Sequence, residues 1–162
     1  MAKKKSESDG GGEVRISNRK ARHDYHISEV VECGLALLGT EVKSLRAKQV
    51  RFDDAYARIR GKQVFLVGAN IAPYPQAPPA LQHDPLRDRK LLLHKRQIAL
   101  LEAHVRQKGK TVIPLAIYFK RGWAKCELGV AEGKKHYDKR DDVRKRDQQR
   151  EMAREMTRRR RT

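Results

Sequence analysis

Between Gly122 and Arg140, GWAKCELGVAEGKKHYDKR, the chain changes character within a few residues, and that change limits what the rest can fold into. Ala124, Cys126, Leu128 and Val130 alternate with Lys125, Glu127 and Gly129, the period of a strand with one buried face. Gly133 breaks the pattern, and from there to the C-terminus no Gly or Pro and almost no apolar residue follows. A folded body therefore hands over to a basic arm at Gly133–Lys135.

Upstream, the same reasoning yields short elements. Residues 1–17 are polar and aperiodic and are expected to be disordered, with order beginning at Asn18. Tyr25, Ile27, Val31 and Cys33 imply a strand from about Asp24 to Cys33; Glu29 falls on the same face and spoils the alternation, and Gly34 interrupts it. Thr40 is placed to cap a short helix, with Glu41 in its first turn and Val42 and Leu45 facing inward. Gly61-Lys62 joins two strands of a hairpin, and five prolines between Pro73 and Pro85 exclude a helix or central strand there. Leu91–Leu93 leads into a helix with a buried stripe of Ile98, Leu101 and Val105, stopped by Gly109. Thr111–Phe119 and Trp123–Val130 form a second hairpin, with Pro114 at an edge or irregularity.

Five or six short strands with two helices between them predict a mainly β body, a small closed or partly closed antiparallel barrel with disordered extensions at both ends. The expected divisions are a tail over 1–17, a body over 18–133 and an arm over 134–162. The arm from Asp138 holds 11 Lys and Arg against six Asp and Glu. Asp141–Lys145, Asp142–Arg146 and Glu155–Arg159 are favourable i,i+4 pairs, but Val143, Met152, Ala153 and Met156 make too thin an apolar stripe to hold a helix unaided. The arm is expected to be disordered alone and helical when docked.

A net charge of +18 and a pI near 10.3 point to a polyanionic partner, nucleic acid before anionic lipid, since the arm lacks aromatic or leucine anchors. No apolar run approaches a membrane span, and the N-terminus has no apolar signal core, so a cytoplasmic protein without membrane contact is expected. Cys33 and Cys126 read as reduced, buried thiols. The six histidines show no metal-ligand spacing; His23 and His26 read as solvated or edge imidazoles, and His83-Asp84 as turn chemistry rather than an acid–base pair. Neither a metal, a cofactor nor a catalytic role is expected.

The basic residues cluster instead: Arg19, Lys20 and Arg22; Lys43 and Arg46; Arg87, Arg89 and Lys90; Lys120, Arg121 and Lys125. Such clusters fit a phosphate-binding surface. Few aromatics argue against a base-stacking platform, so recognition of a folded RNA by shape is expected, and Trp123 is assigned to the core or the barrel rim. Glu32, an acid amid cations, either accepts from a base edge, orders a neighbouring base-binding side chain or pairs internally with an Arg or Lys.

Five strings in order, NRKARHDY (Asn18–Tyr25), GTEVKSLRA (Gly39–Ala47), GANI (Gly68–Ile71), RKLLLHK (Arg89–Lys95) and LGVAEGKKHYDKR (Leu128–Arg140), resemble the SsrA-binding protein family, also called small protein B. The resemblance implies an oligonucleotide-binding-type barrel that binds the tRNA-like domain of transfer-messenger RNA and enters stalled ribosomes for trans-translation. It implies a complex shared with elongation factor Tu, one copy on the RNA, and an arm helical in the decoding centre of the small subunit and the empty mRNA channel. It places RNA contacts on Asn18, Glu32, Leu92 and Lys125, with Lys20, Arg22, Lys43 and Lys90 as supporting cations. The arm's ribosome contacts fall on Tyr137, which would stack on a decoding-centre base, and on Asp138, Lys139 and Arg140, with Asp138 at or near the helix N-cap. Ala131-Glu132-Gly133 departs from the family's more basic version.

Overall fold

A computed structural model of the chain describes residues 14–52 and 54–159. Its main sheet is antiparallel, and its three longest strands are β2 (Tyr25–Leu35), β8 (Lys110–Lys120) and β9 (Trp123–Gly133). With β1 (Arg15–Ser17), β4 (Tyr56–Arg60), β5 (Gln63–Val67) and β7 (Arg89–Leu92) they run in the order β1-β8-β9-β2-β7-β5-β4. β3 (Val50–Arg51) and β6 (Asn70–Ile71) pair separately. β4, at the far end of the sheet, packs against β8, so the sheet rolls into the expected barrel. Among the described residues four α-helices decorate it: α1 (Arg19–Asp24), α2 (Gly39–Arg46), α3 (Lys95–Val105) and α4 (His136–Arg159).

The hairpins follow the sequence closely. Arg60 pairs with Gln63 across Gly61-Lys62, and Lys120 with Trp123 across Arg121-Gly122. At the latter both turn residues have positive φ, 51° and 81°, the left-handed geometry that matches the twist of a two-residue hairpin. The register of β8 on β9 slips between Pro114 and Ala116, where proline cannot donate to the ladder. A second slip, between Ile27 and Glu29, explains why Glu29 broke the alternation of β2. Gly34 does not end that strand. It stands where β2 passes between β9 and β7, and a Cβ there would lie 3.1 Å from that of Leu92.

Several expectations need correction. The body begins at Arg15 rather than Asn18, because Arg15–Ser17 pair with Tyr118–Ala116; residues 1–13 of the expected tail lie outside the described residues. Asn18 opens α1, which places His23 in a helix, where periodicity showed none because six residues cannot carry an apolar stripe. Leu38, not Thr40, is the N-cap of α2, and Val105 is exposed whereas Leu101 is fully buried. Trp123 lies neither in the core nor packed at the rim; it is 74% exposed.

The barrel interior holds Leu45, Val64, Leu66, Leu91, Leu101, Ile117, Leu128 and Val130, all essentially without solvent contact. Cys33 and Cys126 face each other across β2 and β9 as free, buried thiols, the Cys33 Sγ donating to the Cys126 carbonyl at 3.2 Å. A smaller cluster of Ala21, Ile113, Leu115 and Ala131 lies under α1. There Gly129 has no room for a side chain: an added Cβ would stand 2.9 Å from Leu115 Cδ1 and 3.1 Å from Ile27 Cγ2. Gly129→Ala should therefore destabilise the body by about 1–3 kcal/mol, read as a shifted urea midpoint with an unchanged slope.

One polar assembly is buried with the core. Glu41 accepts from Arg89 Nε at 2.8 Å, from Arg87 Nε at 2.8 Å and Nη2 at 2.6 Å, and from the Leu38 N–H at 2.7 Å. Arg89, also fully buried, spends its remaining donors on the carbonyls of Ala69, Pro85 and Arg87. Arg87 and Arg89, grouped by sequence with a phosphate-binding surface, thus tie α2, the proline-rich loop and β7 together. His83 pegs the same loop: its ring bonds Thr40 Oγ1 at 2.8 Å and the Ile71 carbonyl at 3.0 Å. Asp84 accepts from the Leu86 N–H at 2.9 Å, the turn role expected of it.

Candidate nucleic-acid interface

The register of the long strands gathers one set of residues on the outer face of the barrel. Alternation puts Glu32 of β2, Tyr118 and Lys120 of β8 and Lys125 of β9 on the same side. Lys125 lies opposite both Tyr118 and Gly34, and Gly34 opposite Leu92, so Leu92 joins them, with Lys90 two residues away on the same face of β7. Glu32, Leu92 and Lys125, on strands far apart in sequence, are thereby neighbours. Leu92 is 54% exposed, an apolar side chain held out to solvent between cations.

Glu32 is gripped from three sides. The Tyr118 hydroxyl donates to its Oε2, Lys120 Nζ lies 3.4 Å from the same atom, and Lys125 Nζ is 4.0 Å from Oε1. The hydrogen bond from Tyr118 is the main reason its carboxyl is held below the ordinary carboxylate range; partial burial opposes this, and the charges of Lys120 and Lys125 reinforce it. Burial and the neighbouring Glu32 carboxylate push the Tyr118 phenol up, so it stays a donor. Arg15 stacks on the Tyr118 ring at 4.9 Å and pairs with Glu127 at 2.7 Å, completing a charged strip across four strands. Of the three sequence readings of Glu32, the geometry contains the internal pairing and the ordering of a neighbouring cation together. The face is an ionised acid in a lattice of donors, able to offer lysines to phosphate and a carboxylate to a base edge.

The other predicted residues divide differently. Asn18 is buried: its Oδ1 accepts the Ala21 N–H at 3.0 Å, and its Nδ2 donates to the Phe52 and Pro114 carbonyls at 3.2 and 3.1 Å. Its amide is spent on seating α1, leaving the exposed Lys20 and Arg22 of that helix as the groups that face out. Lys20 approaches Asp54 at 3.3 Å. Lys43 is exposed on α2 with its Nζ 5.3 Å from the Tyr74 ring centre.

α1 and the Glu32 face are at opposite ends of β2, seven residues or roughly 23 Å apart at the rise of a strand. The arm departs from the α1 end. Tyr25 pairs with Gly133, the Lys134 N–H donates to the Asp24 carbonyl at 2.9 Å, and its Nζ reaches the Arg22 carbonyl at 3.0 Å. From there α4 runs as one helix, and Tyr137, Asp138, Lys139 and Arg140 fall in its first turns; the expected N-cap position of Asp138 is overtaken because the helix begins two residues earlier, at His136. The side chains of those four, and the expected i,i+4 pairs of the arm, lie outside the described residues. Val143, Met152 and Met156 are all exposed.

Sequence reasoning grouped Lys120 with Lys125 but missed Tyr118 and Trp123 as members of this face. The hairpin turn at Arg121-Gly122 was a usable signal, since it puts Tyr118 directly opposite Lys125. Composition gave no sign that two of the few aromatic side chains, the buried Tyr118 and the exposed Trp123, share this face.

A sequence profile for a family described as SmpB protein matches residues 15–158. The SsrA-binding protein of Oleidesulfovibrio alaskensis is 52% identical over 158 residues, covering 98% of this chain and 99% of that protein. That of Chloroflexus aggregans is 53% identical over 146 residues, covering 90% and 92% respectively. A solved structure described as "tmRNA-SmpB: a journey to the center of the bacterial ribosome" is similar with a TM-score of 0.65 and 48% identity, covering 81% of this chain and 95% of that one.

Proposed function

The chain belongs to the SmpB protein family, and on that premise we propose that it is an RNA-binding factor, not an enzyme, that holds the tRNA-like domain of transfer-messenger RNA and brings it to stalled ribosomes in trans-translation. The observation that carries the reading is the separation of two basic parts. The Lys90–Leu92–Glu32–Lys125 face lies at one end of the barrel, and the arm leaves from the other. A body docked on RNA through that face leaves the arm's point of departure at the other end, and 24 helical residues span about 36 Å. That length suits an arm lying in the decoding centre and the empty mRNA channel of the small subunit.

The body over 18–133, extended by β1, folds around its own core, and the arm over 134–162 contributes its described apolar residues to none of it. This supports an arm that orders on the ribosome. Tyr137, Asp138, Lys139 and Arg140 would make its contacts there, with Asp138 favoured in the first turn by the helix dipole. Lys20, Arg22 and Lys43 would add phosphate contacts, and Asn18 would act by seating α1. One copy on the RNA, in a cytoplasmic complex shared with elongation factor Tu, completes the reading. No described helix is long and apolar enough to cross a membrane.

Sequencing the RNA that co-purifies with the full-length protein tests it: one dominant structured RNA is expected, and a broad mixture would instead fit a general basic RNA-binding barrel. Lys125→Ala should weaken binding and lower the slope of log affinity against log salt by about one unit, the signature of one lost phosphate. Glu32→Ala should weaken binding to the folded RNA while leaving unspecific binding unchanged or stronger, because a negative charge is removed. An equal fall in both would reduce Glu32 to a structural role.

A further inference from the structure

We propose that the outer face of the β4–β5 hairpin is a second RNA contact, one that grips the phosphates of a paired stem of the RNA partner and reads no base. The proposal rests on the RNA-binding reading above and adds a surface to it. Tyr56, Arg58 and Arg60 of β4 point outward, while Ala57 and Ile59 turn to the core. Arg58 lies opposite Phe65 of β5, and Phe65 opposite Lys90 of β7, so one row of side chains crosses three strands. The Arg58 guanidinium stands over the Tyr56 ring at 5.4 Å and donates to its hydroxyl. That of Arg60 stands over the Phe65 ring at 5.9 Å. Lys62 of the turn and Lys95 of α3 line a groove of about 450 Å³ together with Gln63, Lys90, Leu92 and His94. Asp88 pairs with Arg60 at 3.4 Å, whereas Arg58, Lys62, Lys90 and Lys95 are exposed with no acid partner among the described residues.

The two rings decide what this face can hold. Each already carries a guanidinium, so it offers a ligand a flat cation rather than a bare surface for a base. A paired stem keeps its bases stacked inside and presents rows of phosphates, which such cations contact without regard to sequence. The strands hold the cations as a fixed array: Arg58 and Arg60 stand about 7 Å apart along β4, and Lys90 is two strand spacings, about 10 Å, from Arg58. A duplex has its phosphates fixed as regularly, whereas a flexible strand would first have to be ordered to match. The face is also continuous with the one that carries Glu32. β9, β2, β7, β5 and β4 are successive in the sheet, so Lys125 and Arg58 lie four spacings, or roughly 19 Å, apart around the barrel. An RNA seated on the first face therefore has an adjoining helix within reach of the second. A protein partner fits less well, because protein interfaces centre on uncovered aromatic or apolar anchors, and the rings here are covered.

Phosphate ethylation interference on transfer-messenger RNA bound to the full-length protein reads the contact directly. Ethyl groups on phosphates of a paired stem should weaken binding, and that interference should vanish in the double variant Arg58→Gln, Lys62→Gln. The double variant should bind the RNA about tenfold more weakly and lower the slope of log affinity against log salt by about two units, one per phosphate lost. Both side chains are exposed, so thermal unfolding should be unchanged. Arg58→Lys with Lys62→Arg keeps the charges and should restore both affinity and slope. Affinity for a short unpaired oligoribonucleotide should stay the same throughout. An unchanged slope, or interference confined to unpaired nucleotides, would overturn the proposal, as would an equal loss for the unpaired strand. So would intact binding of the RNA beside a weakened complex with the ribosome, which would make a ribosomal surface the occupant. If Lys125→Ala weakens binding while the double variant does not, the hairpin alone fails; if neither weakens it, the RNA-binding face itself is misplaced.

Discussion

Glu41→Ala should destabilise the body by about 3–5 kcal/mol, the largest effect expected of any single side chain here, and lower the melting temperature by on the order of 10–20 °C. The carboxylate has no solvent contact and accepts four hydrogen bonds, two from the fully buried Arg89 and the Arg87 Nε at one oxygen, two from Arg87 Nη2 and the Leu38 N–H at the other. Removing it leaves the Arg89 guanidinium charged inside the barrel wall with only carbonyls for company, and frees the first turn of α2 from the loop it clasps. Glu41→Gln keeps the shape but returns an amide that must donate toward an arginine, so it should recover little. Burial by itself would raise the Glu41 pKa, but hydrogen bonds from Arg87 and Leu38 and the charge of Arg89 outweigh it and hold the group below the ordinary carboxylate value. A folded pKa below the unfolded one means the stabilisation is fully present above about pH 4.3 and is lost as pH falls through the folded value. The gap in stability between the parent chain and Glu41→Gln should accordingly narrow in acid. A variant that melts with the parent at neutral pH would show that the cluster adds nothing.

That cluster also marks where sequence reasoning ends. Glu41 was legible as an acid in a first turn, and it is one; nothing local says that its partners lie 46 and 48 positions away. Arg87 and Arg89 looked like the other basic residues because charge runs carry no mark of burial. Period-2 alternation, by contrast, is a local signal, and it located β8, β9, the two tight hairpins and the irregularity at Pro114. What alternation cannot supply is which strands lie side by side. β2 sits between β9 and β7, and this long-range pairing, not any hairpin, makes Glu32, Leu92 and Lys125 one surface. Glu32 and Lys125 stood out by charge and Leu92 only through resemblance, and the fold supplies the reason the three belong together. Trp123 went astray for a related cause: burial tendencies describe an average indole, whereas this one is lifted into solvent by the turn before it.

Ala153→Pro should abolish peptide tagging on stalled ribosomes while leaving the body's affinity for RNA intact. Ala153 is exposed in the second half of α4 and belongs to neither apolar cluster of the body, so the core has no part in the change. Proline there removes one helical N–H and drives its ring against the carbonyl of Gln149, at a cost of about 3 kcal/mol. An arm whose described apolar residues are all exposed has no packing to absorb that cost, so the helix should break or never extend past Gln149. If the arm acts as a rod, threading phosphates along a channel with its Lys and Arg on defined faces, a break in its second half misdirects everything beyond it. Replacing Asp138, Lys139 and Arg140 with three alanines should give the same loss from the other end, by removing contacts while preserving helix propensity; the two variants together separate shape from charge. Ala153→Ser, which leaves the helix nearly unchanged, should tag normally. A proline variant that tags as well as the serine one would sink the rod, and the arm would then serve as an electrostatic tether for which only its net positive charge matters.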